Sequence, residues 1–240
     1  MTPVAKYILS KSSYIRSLQC LKSLYFYKFH YKERDPISAE QQARFTRGHE
    51  YGKMAHLLFP GGVDASPAKP YDYEPSIKLT RELLLKQTPV IYEASFAHND
   101  VMAAVDILVK HEGKLSAYEV KSSTKISETY LNDAALQYYL ITGAGYEMED
   151  FFITHLIPNY KEAGTDDVQV LFTHQSVKDI CISRMSYVEE RIEEAKKMLS
   201  KKRMPFIAQG EHCNVPYDCD FKNICNRSNG FKEGSLFALD

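Results

Sequence analysis

The chain has 240 residues, a formal net charge of -1, 44% hydrophobic residues and 25% charged residues. This balance provides enough apolar material for a core and excludes disordered and fibrous proteins. No segment approaches the ~20 consecutive apolar residues that a membrane span requires, and residues 1–12 lack the apolar block of a signal peptide. We therefore expect a cytoplasmic protein without membrane partners, whose five cysteines stay reduced as metal ligands or buried thiols.

Basic residues are concentrated in two segments. Residues 1–34 contain seven Lys or Arg against one acid, and residues 195–203 contain five and no acid. The remainder of the chain is therefore acidic. Such a distribution is typical of proteins that bind polyanions, but two solvated helix faces would have the same composition. Charge by itself leaves both interpretations open.

Before residue 89 the chain has the apolar spacing of helices. Ser12 or Ser13 can cap the first, and Pro60-Gly61-Gly62 ends the second. A segment rich in Pro, Asp and Ala at 63–75 is predicted to be a loop. The predicted helices cover residues 12–31, 39–59 and 75–87.

After residue 89 the pattern changes to strands, with turns at Asn99-Asp100 and Glu112-Gly113. The predicted strands cover residues 90–96, 101–109, 114–120, 151–157 and 168–173, and further helices cover 128–142 and 175–202. This order predicts one α/β domain with a helical cap formed by both termini. Its parts are an N-terminal helical part (1–88), an α/β core (89–175) and a C-terminal helix with a cysteine cluster (176–240).

Three charged side chains are predicted to meet at one end of the hairpin. A two-residue turn at Glu112-Gly113 places Asp106 directly opposite Glu119 on the same face, and alternation adds Lys121 to that face. Two carboxylates so placed repel unless a positive charge lies between them. This arrangement suits Mg²⁺ or Mn²⁺ beside a lysine that orients water, as in phosphodiester hydrolysis. A cross-strand salt bridge is the alternative.

Asp106 and Glu119-Val120-Lys121 resemble the core motif of the PD-(D/E)XK nuclease superfamily. The likeness is closest to RecB-type nucleases, including the iron–sulfur exonucleases of CRISPR adaptation and of the AddB type. Residues 52–56 fit the GxxxH motif of that family. Gln137 fits the Gln of a QxxxY motif, but Ile141 stands at the Tyr position. The resemblance covers residues 12–227.

The resemblance implies a restriction-endonuclease-like core, a mixed sheet flanked by helices. Mg²⁺ or Mn²⁺ would be bound by His56, Asp106, Glu119 and the Val120 carbonyl. The catalytic residues would be Lys121, Glu119, Asp106 and Gln137. Glu93 resembles an acid often found on the preceding strand of the family, and neither its role nor that of His49 is decided by the sequence.

Three of the five cysteines, Cys213, Cys219 and Cys225, lie within thirteen residues. Three thiolates leave a tetrahedral metal or a cubane cluster one ligand short. The resemblance adds Cys20 as a distant N-terminal ligand and implies a [4Fe–4S] cluster that ties the cap. Zinc bound with Cys20 or His212, or three unligated thiols, are the alternatives. Cys181, on an apolar helical stretch, is predicted to be a buried thiol.

Together the resemblance implies a metal-dependent DNA nuclease, with exonuclease action on single-stranded DNA as the first expectation. The leading alternative is a catalytically silent nucleic-acid-binding or scaffold module with the same fold and a structural metal. A zinc-stabilised binding protein with an ordinary salt bridge on its sheet is the third interpretation.

Overall fold

A computed structural model describes residues 7–69, 72–158 and 167–228 of the chain. The fold is α/β, with a seven-stranded mixed sheet flanked by helices, which confirms the α/β class expected from the sequence. The restriction-endonuclease-like core and the cap tied by a cluster stay predictions. The chain divides into two units. The first comprises residues 1–11 and 43–185 and contains the sheet; the second comprises residues 12–42 and 186–240. The single-domain organisation stays a prediction.

The strands are β1 (Leu9–Ser10), β2 (Val63–Asp64), β3 (Val90–His98), β4 (Val101–His111), β5 (Lys114–Lys121), β6 (Met148–Leu156) and β7 (Phe172–Ser176). Their order is β2-β3-β4-β5-β6-β7, and β1 pairs with β4. The β3/β4, β4/β5 and β6/β7 pairs are antiparallel, whereas β1/β4, β2/β3 and β5/β6 are parallel. The β5/β6 crossover contains the helix expected between them.

The helices are α1 (Lys11–Gln19), α2 (Leu21–Phe29), α3 (Ala39–Ala55), α4 (Glu74–Leu85), α5 (Glu128–Gly143), α6 (Val168–Leu171), α7 (Lys178–Ser183), α8 (Met185–Ser200) and α9 (Lys222–Ser228). Short 3-10 helices cover Tyr31–Glu33, His56–Leu58 and Glu211–Cys213. Within the first unit, α5 packs against β3, β4 and β6. The opposite face of the sheet packs around Ile107, Leu156 and Phe172, together with Ala55 at the end of α3.

The β4/β5 hairpin has the register expected from the sequence. Glu112 and Gly113 both have positive φ, 49° and 85°, as a two-residue type I′ turn requires. His111 pairs with Lys114, and the ladder continues to Ile107 opposite Tyr118. Asp106 and Glu119 are therefore the next facing positions, immediately beyond the last pair.

Strands β1 and β5 share one edge of β4. Val101 and Met102 pair with β3 on one side and with β1 on the other, and the β1 side is the edge that β5 occupies from Ile107 onward. β1 runs parallel to β4 and β5 runs antiparallel to it, so their C-terminal ends approach each other. Lys11 and Glu119 meet at that point.

The helix predicted over residues 12–31 is wrong in its continuity. It consists of α1 and α2, interrupted at Cys20, whose backbone is extended at φ -166° and ψ 118°. Tertiary contacts hold the end of α1, because the Gln19 amide donates hydrogen bonds to the carbonyls of His212 (2.7 Å) and Tyr217 (2.6 Å). Helical periodicity cannot reveal such a break.

Two predictions for the C-terminal half are also wrong. Residues 168–171 form α6 rather than a strand, since the Asp167 carboxylate caps the turn by accepting a hydrogen bond from the Gln169 amide (3.0 Å). The predicted helix over 175–202 is divided at Arg184, whose guanidinium bonds Asn132 (2.5 Å) and Glu128 (2.7 Å).

The predicted loop at 63–75 contains β2, which tertiary pairing with β3 stabilises.

Within the described ranges, no helix combines the length and the apolar character needed to cross a membrane.

Candidate active site

Three carboxylates form a row across adjacent strands. Asp106 faces the position of Glu119 on β5, and the pairing of residues on either side places Glu93 of β3 beside Asp106. Glu93 has φ +54°, in the left-handed region that non-glycine residues rarely adopt, and it leaves the regular ladder at this point. The β3/β4 register therefore adds Glu93 to the acids predicted from the hairpin.

The Asp106 carboxylate is oriented by the backbone of β5. The Val120 amide donates a hydrogen bond of 2.6 Å to Asp106 Oδ2. The N–H and C=O groups of one strand residue point to the same neighbouring strand. The Val120 carbonyl is therefore on the Asp106 side of β5, the position required for the role that the resemblance implies.

Two lysines converge on Glu119. Lys121 Nζ lies 2.6 Å from Glu119 Oε1 and 2.6 Å from Asp133 Oδ2. Lys11 Nζ lies 2.9 Å from the same Glu119 oxygen and 3.8 Å from Asp133 Oδ1. Gln137, also on α5, donates a 2.9 Å hydrogen bond to Asp133 Oδ1. The expected grouping of Glu119 with Lys121 is present, and Gln137 reaches Lys121 through Asp133.

The pKa values of two acids in the row are raised. Burial and the neighbouring Asp106 raise the pKa of Glu119 to about 7, although the two lysines oppose the shift. Burial, followed by Asp106, raises the pKa of Glu93 to about 8. Repulsion among three carboxylates is thus only partly offset by the ammonium groups, so additional positive charge at the row would be stabilised.

Asp133 has the opposite character. Burial disfavours its charge, but the lysines and the hydrogen bonds from Lys121 and Gln137 hold the pKa of Asp133 well below its usual value. In turn, Asp133 and Glu119 outweigh burial and keep the pKa of Lys121 well above that of a free lysine. Asp133 is therefore an ionised acceptor that keeps Lys121 protonated before any ligand binds.

His56 lies in the 3-10 helix that follows α3, and its ring stacks on Tyr92 with a centroid distance of 3.9 Å and an interplanar angle of 3°. The Tyr92 hydroxyl donates a 2.6 Å hydrogen bond to the Phe59 carbonyl, which holds the ring in place. Burial lowers the pKa of His56, while Asp64 and Asp106 raise it. A histidine that stays neutral next to acids can offer a ring nitrogen to a cation.

The residues of the row fit a divalent cation in their chemistry. Glu119 Oε2 is buried and has no hydrogen-bond partner, so one carboxylate oxygen remains available. Oxygen ligands with one imidazole suit Mg²⁺ or Mn²⁺. Among the described residues, however, no three His, Cys, Asp or Glu side chains adopt the geometry of a metal site. The side chain of Glu119 is instead engaged by ammonium groups through Oε1.

All four proposed cluster cysteines line one pocket of the second unit, together with His212 and Lys22. Burial raises the pKa of Cys20, and the neighbouring Cys219 and Cys213 contribute to the shift. Cys219 Sγ lies 3.6 Å from the Ser23 hydroxyl, and Cys213 Sγ lies 3.7 Å from His212 Nε2. Four thiols at one pocket fit a thiophilic metal or cluster, and His212 keeps the zinc alternative open. Among the described residues, the side chains of this pocket do not adopt the geometry of a metal site either.

Two other predicted positions lie apart from these groups. Cys181 is fully buried in α7 of the first unit, and burial raises its pKa to about 12, which confirms it as a core thiol. His49 is exposed on α3. Neither position belongs to the acidic row or to the cysteine pocket.

Sequence reasoning missed Lys11 and Asp133. Asp133 precedes Gln137 by four residues on α5, a spacing that puts both on one helix face and is visible in the sequence. Lys11 had no such signal, because it reaches the site through the pairing of a two-residue strand with β4.

The N-terminal basic segment is largely used within the protein. Arg16 and Arg34 both pair with Asp220, and Lys22 is buried. In the second basic segment, the exposed residues are Lys197, Lys201, Lys202 and Arg203. The exposed basic side chains of the second unit therefore include these four as well as Lys28 and Lys32 of the N-terminal segment.

No family model matches the chain, and no curated protein sequence matches it. Among solved structures, the chain is similar to one titled "Crystal structure of SSO0001", with 12% identity over 91% of this chain and 85% of that one. The TM-score is 0.36, which is too low to show a shared fold or a shared activity.

Proposed function

We propose that the protein is a metal-dependent DNA nuclease with a restriction-endonuclease-like core, acting as an exonuclease on single-stranded DNA. The supporting observation is the acidic row with its lysine: Asp106 and Glu119 occupy facing positions, and Lys121 Nζ lies 2.6 Å from Glu119. Hydrolysis of a phosphodiester needs oxygen ligands for a cation and a polar group that orients water at the same place. The choice of DNA and of exonuclease action rests on the motif resemblance.

Asp106, Glu119, His56 and the Val120 carbonyl would hold Mg²⁺ or Mn²⁺. When bound, the cation would polarise a phosphoryl oxygen and lower the pKa of a coordinated water. Asp106 is already oriented for such a role by the Val120 amide, and Lys121 holds Glu119 through Oε1 while Oε2 has no hydrogen-bond partner among the described residues.

The remaining residues orient the nucleophile. Lys121 keeps a fixed direction because Asp133 binds its ammonium group, and Asp133 is in turn fixed by Gln137. From that position Lys121 would donate a hydrogen bond to the attacking water or to a phosphate oxygen. Gln137 would contribute through Asp133, as a positioning residue.

A structural [4Fe–4S] cluster bound by Cys20, Cys213, Cys219 and Cys225 is part of the proposal, with zinc as the alternative. Support comes from the four thiols at one pocket, a soft donor set. A cytoplasmic location, where thiols stay reduced, follows from the same argument.

The test is cleavage of end-labelled single-stranded DNA by anaerobically purified protein, with Mn²⁺ and with EDTA. Glu119→Gln, Asp106→Asn and Lys121→Met should each lower the rate by at least about 10²-fold without loss of folding, because each removes one charged group from the site. Lys114→Met is the matched control: Lys114 is exposed and pairs with Glu149, away from the row. Its activity should equal that of the wild type.

Cleavage that continues at the wild-type rate in Glu119→Gln would disprove the assigned site. DNA binding without any Mn²⁺-dependent cleavage would favour the catalytically silent module. Ile141, which occupies the expected Tyr position and is fully buried, is the observation on the side of that alternative.

A further inference from the structure

We propose that Lys11 is an internal counter-ion of the acidic row, which occupies Glu119 until a divalent cation displaces it. The inference deepens the proposed function, since it rests on the same cation site. It assigns a role to a residue outside every motif of the sequence.

The first observation is that one oxygen of Glu119 carries both ammonium groups. Lys11 Nζ and Lys121 Nζ lie 2.9 Å and 2.6 Å from Oε1, whereas the buried Oε2 has no hydrogen-bond partner. A cation bound by the Glu119 carboxylate would stand within a few ångströms of both ammonium groups. Like charges at that separation in a buried site repel strongly, so one ammonium group has to withdraw.

The second observation identifies Lys11 as the one that withdraws. Lys121 has two partners at 2.6 Å, and its side chain is 15% exposed. Lys11 has a single close partner, a second at 3.8 Å, and a side chain that is 27% exposed. Lys121 therefore remains bound to Asp133 when Glu119 is taken by a cation, whereas Lys11 has access to solvent.

The third observation is that the backbone which carries Lys11 is anchored. Leu9 is fully buried, and the amides of Ile8 and Leu9 both donate to the Asp100 carbonyl, at 2.6 and 3.2 Å. Displacement thus needs only rotation about the flexible side chain of Lys11. The pairing of β1 with β4 keeps the ammonium group close enough to return when the cation leaves.

The fourth observation concerns charge. The three carboxylates of the row and Asp133 face only two ammonium groups, those of Lys11 and Lys121. Without Lys11 the metal-free site would carry a larger uncompensated negative charge. Lys11 thus stabilises the metal-free fold and, by the same interaction, weakens the affinity for divalent cations.

The experiment is calorimetric titration of Mn²⁺ into metal-depleted full-length protein. The heat of binding that is present in the wild type and absent in Glu119→Gln is the signal of this site. Lys11→Met and Lys11→Gln should bind Mn²⁺ about tenfold more tightly than the wild type, because the competing charge is gone. Lys11→Arg, which keeps the charge, should stay close to the wild type. Lys114→Met is the control for removal of a lysine elsewhere and should not change the affinity.

A thermal readout tests the same exchange without catalysis. Mn²⁺ should raise the Tm of Lys11→Gln by more than it raises that of the wild type, because the variant has more charge to neutralise. Lys11→Gln keeps a hydrogen-bond donor, so it provides this result even if Lys11→Met does not fold.

The outcomes separate the two proposals. If the wild type binds Mn²⁺ and cleaves DNA, but both uncharged variants bind Mn²⁺ no more tightly than the wild type, the counter-ion role alone is overturned. If the uncharged variants bind Mn²⁺ more tightly but the wild type does not cleave DNA, the counter-ion role is supported and the proposed nuclease activity is overturned. If the wild type and Glu119→Gln give the same heat on titration with Mn²⁺, no cation binds at Glu119 and both proposals are overturned.

Discussion

Lys121 Nζ and Asp133 Oδ2 lie 2.6 Å apart, and this ion pair joins the last residue of β5 to the buried face of α5. The pair gives a strand-end lysine a fixed direction toward the acidic row. It also explains why an aspartate is buried in a helix whose other buried side chains, apart from Gln137, are aliphatic or aromatic.

Asp133→Asn should lower kcat by about 10-fold to 100-fold while leaving KM for DNA nearly unchanged, because Lys121 loses its orientation rather than its charge. Removal of one member of a partly buried ion pair should also cost about 1–3 kcal/mol of stability. The two effects separate in a pH–rate profile: loss of orientation lowers kcat at every pH, and loss of the Asp133 charge moves the alkaline limb to lower pH because the pKa of Lys121 falls. A wild-type kcat in Asp133→Asn would contradict the positioning role.

Tyr92→Phe tests the support of His56. The variant keeps the stacked ring but removes the hydroxyl that donates to Phe59 and accepts the Gly62 amide at 3.1 Å. We expect a loss of about 1–2 kcal/mol in the free energy of unfolding by urea, because a partly buried carbonyl loses its donor. Mn²⁺ affinity should fall less than in His56→Ala. Equal stability of Tyr92→Phe and the wild type would show that these hydrogen bonds do not hold the segment.

Gly62→Ala should disturb the same ring by another route. A Cβ atom at Gly62 would clash with Cζ of Tyr92 unless the ring moved. We expect destabilisation of about 1–3 kcal/mol. Gly48→Ala is the matched control: its Cβ meets nothing within 4 Å and it lies inside α3, so the fold should gain stability slightly. Equal effects of the two substitutions would refute the contact.

Glu93 should make the metal-free protein less stable as pH rises. Its folded pKa is about 8, against an ordinary value of 4.5, so the unfolded chain releases this proton first. The Glu93 contribution is therefore fully present below about pH 4.5 and is lost as pH rises to about 8. In urea unfolding with EDTA present, the free energy of unfolding of Glu93→Gln should increase relative to that of the wild type as pH rises through this range.

Glu149→Gln provides a comparison of opposite sign. Glu149 is exposed, and Lys114 lowers its pKa, so its small contribution is present at neutral pH and is lost as pH falls. A Glu93→Gln protein that follows the wild type at every pH would show that Glu93 is not buried against the other acids.

Cys20→Ser should abolish the visible absorption of an iron–sulfur protein and lower the Tm sharply. A metal bond between Cys20 and the C-terminal thiols closes a loop of nearly the whole chain, and closing such a loop contributes on the order of 4–5 kcal/mol by the crosslink argument. Cys181→Ser, in the core of the first unit, should keep the chromophore. A colourless wild type with stoichiometric zinc would show that the metal is zinc rather than an iron–sulfur cluster. Full metal content in Cys20→Ser would indicate that His212, and not Cys20, is the fourth ligand.

DNA affinity should decrease steeply with salt through the exposed basic residues. Replacing Lys201, Lys202 and Arg203 together by Gln should flatten the dependence of binding on salt concentration by about two to three phosphate contacts. Fluorescence anisotropy over a salt series measures the slope. An unchanged slope would assign these residues to a solvated surface, and Lys114→Gln serves as the single-charge control.

Local sequence determined the hairpin and the part of the site that it carries. The turn at Glu112-Gly113 fixes the β4/β5 register, and a period of two residues then places Asp106, Glu119 and Lys121 at one end of one face. These relations depend on a short stretch of chain and on turn geometry, so they can be read without knowledge of the fold. The same holds for the clustering of three cysteines within thirteen residues.

Tertiary structure decided the groups whose partners are distant in sequence. Lys11 reaches Glu119, 108 residues away, through the pairing of β1 with β4, and the extended backbone of Cys20 interrupts a helix that periodicity would continue. Glu93 joins the row because a third strand is in register with Asp106. Such contacts depend on free energy gained across the whole sheet and outweigh local propensity, which is why the sequence pattern alone does not contain them.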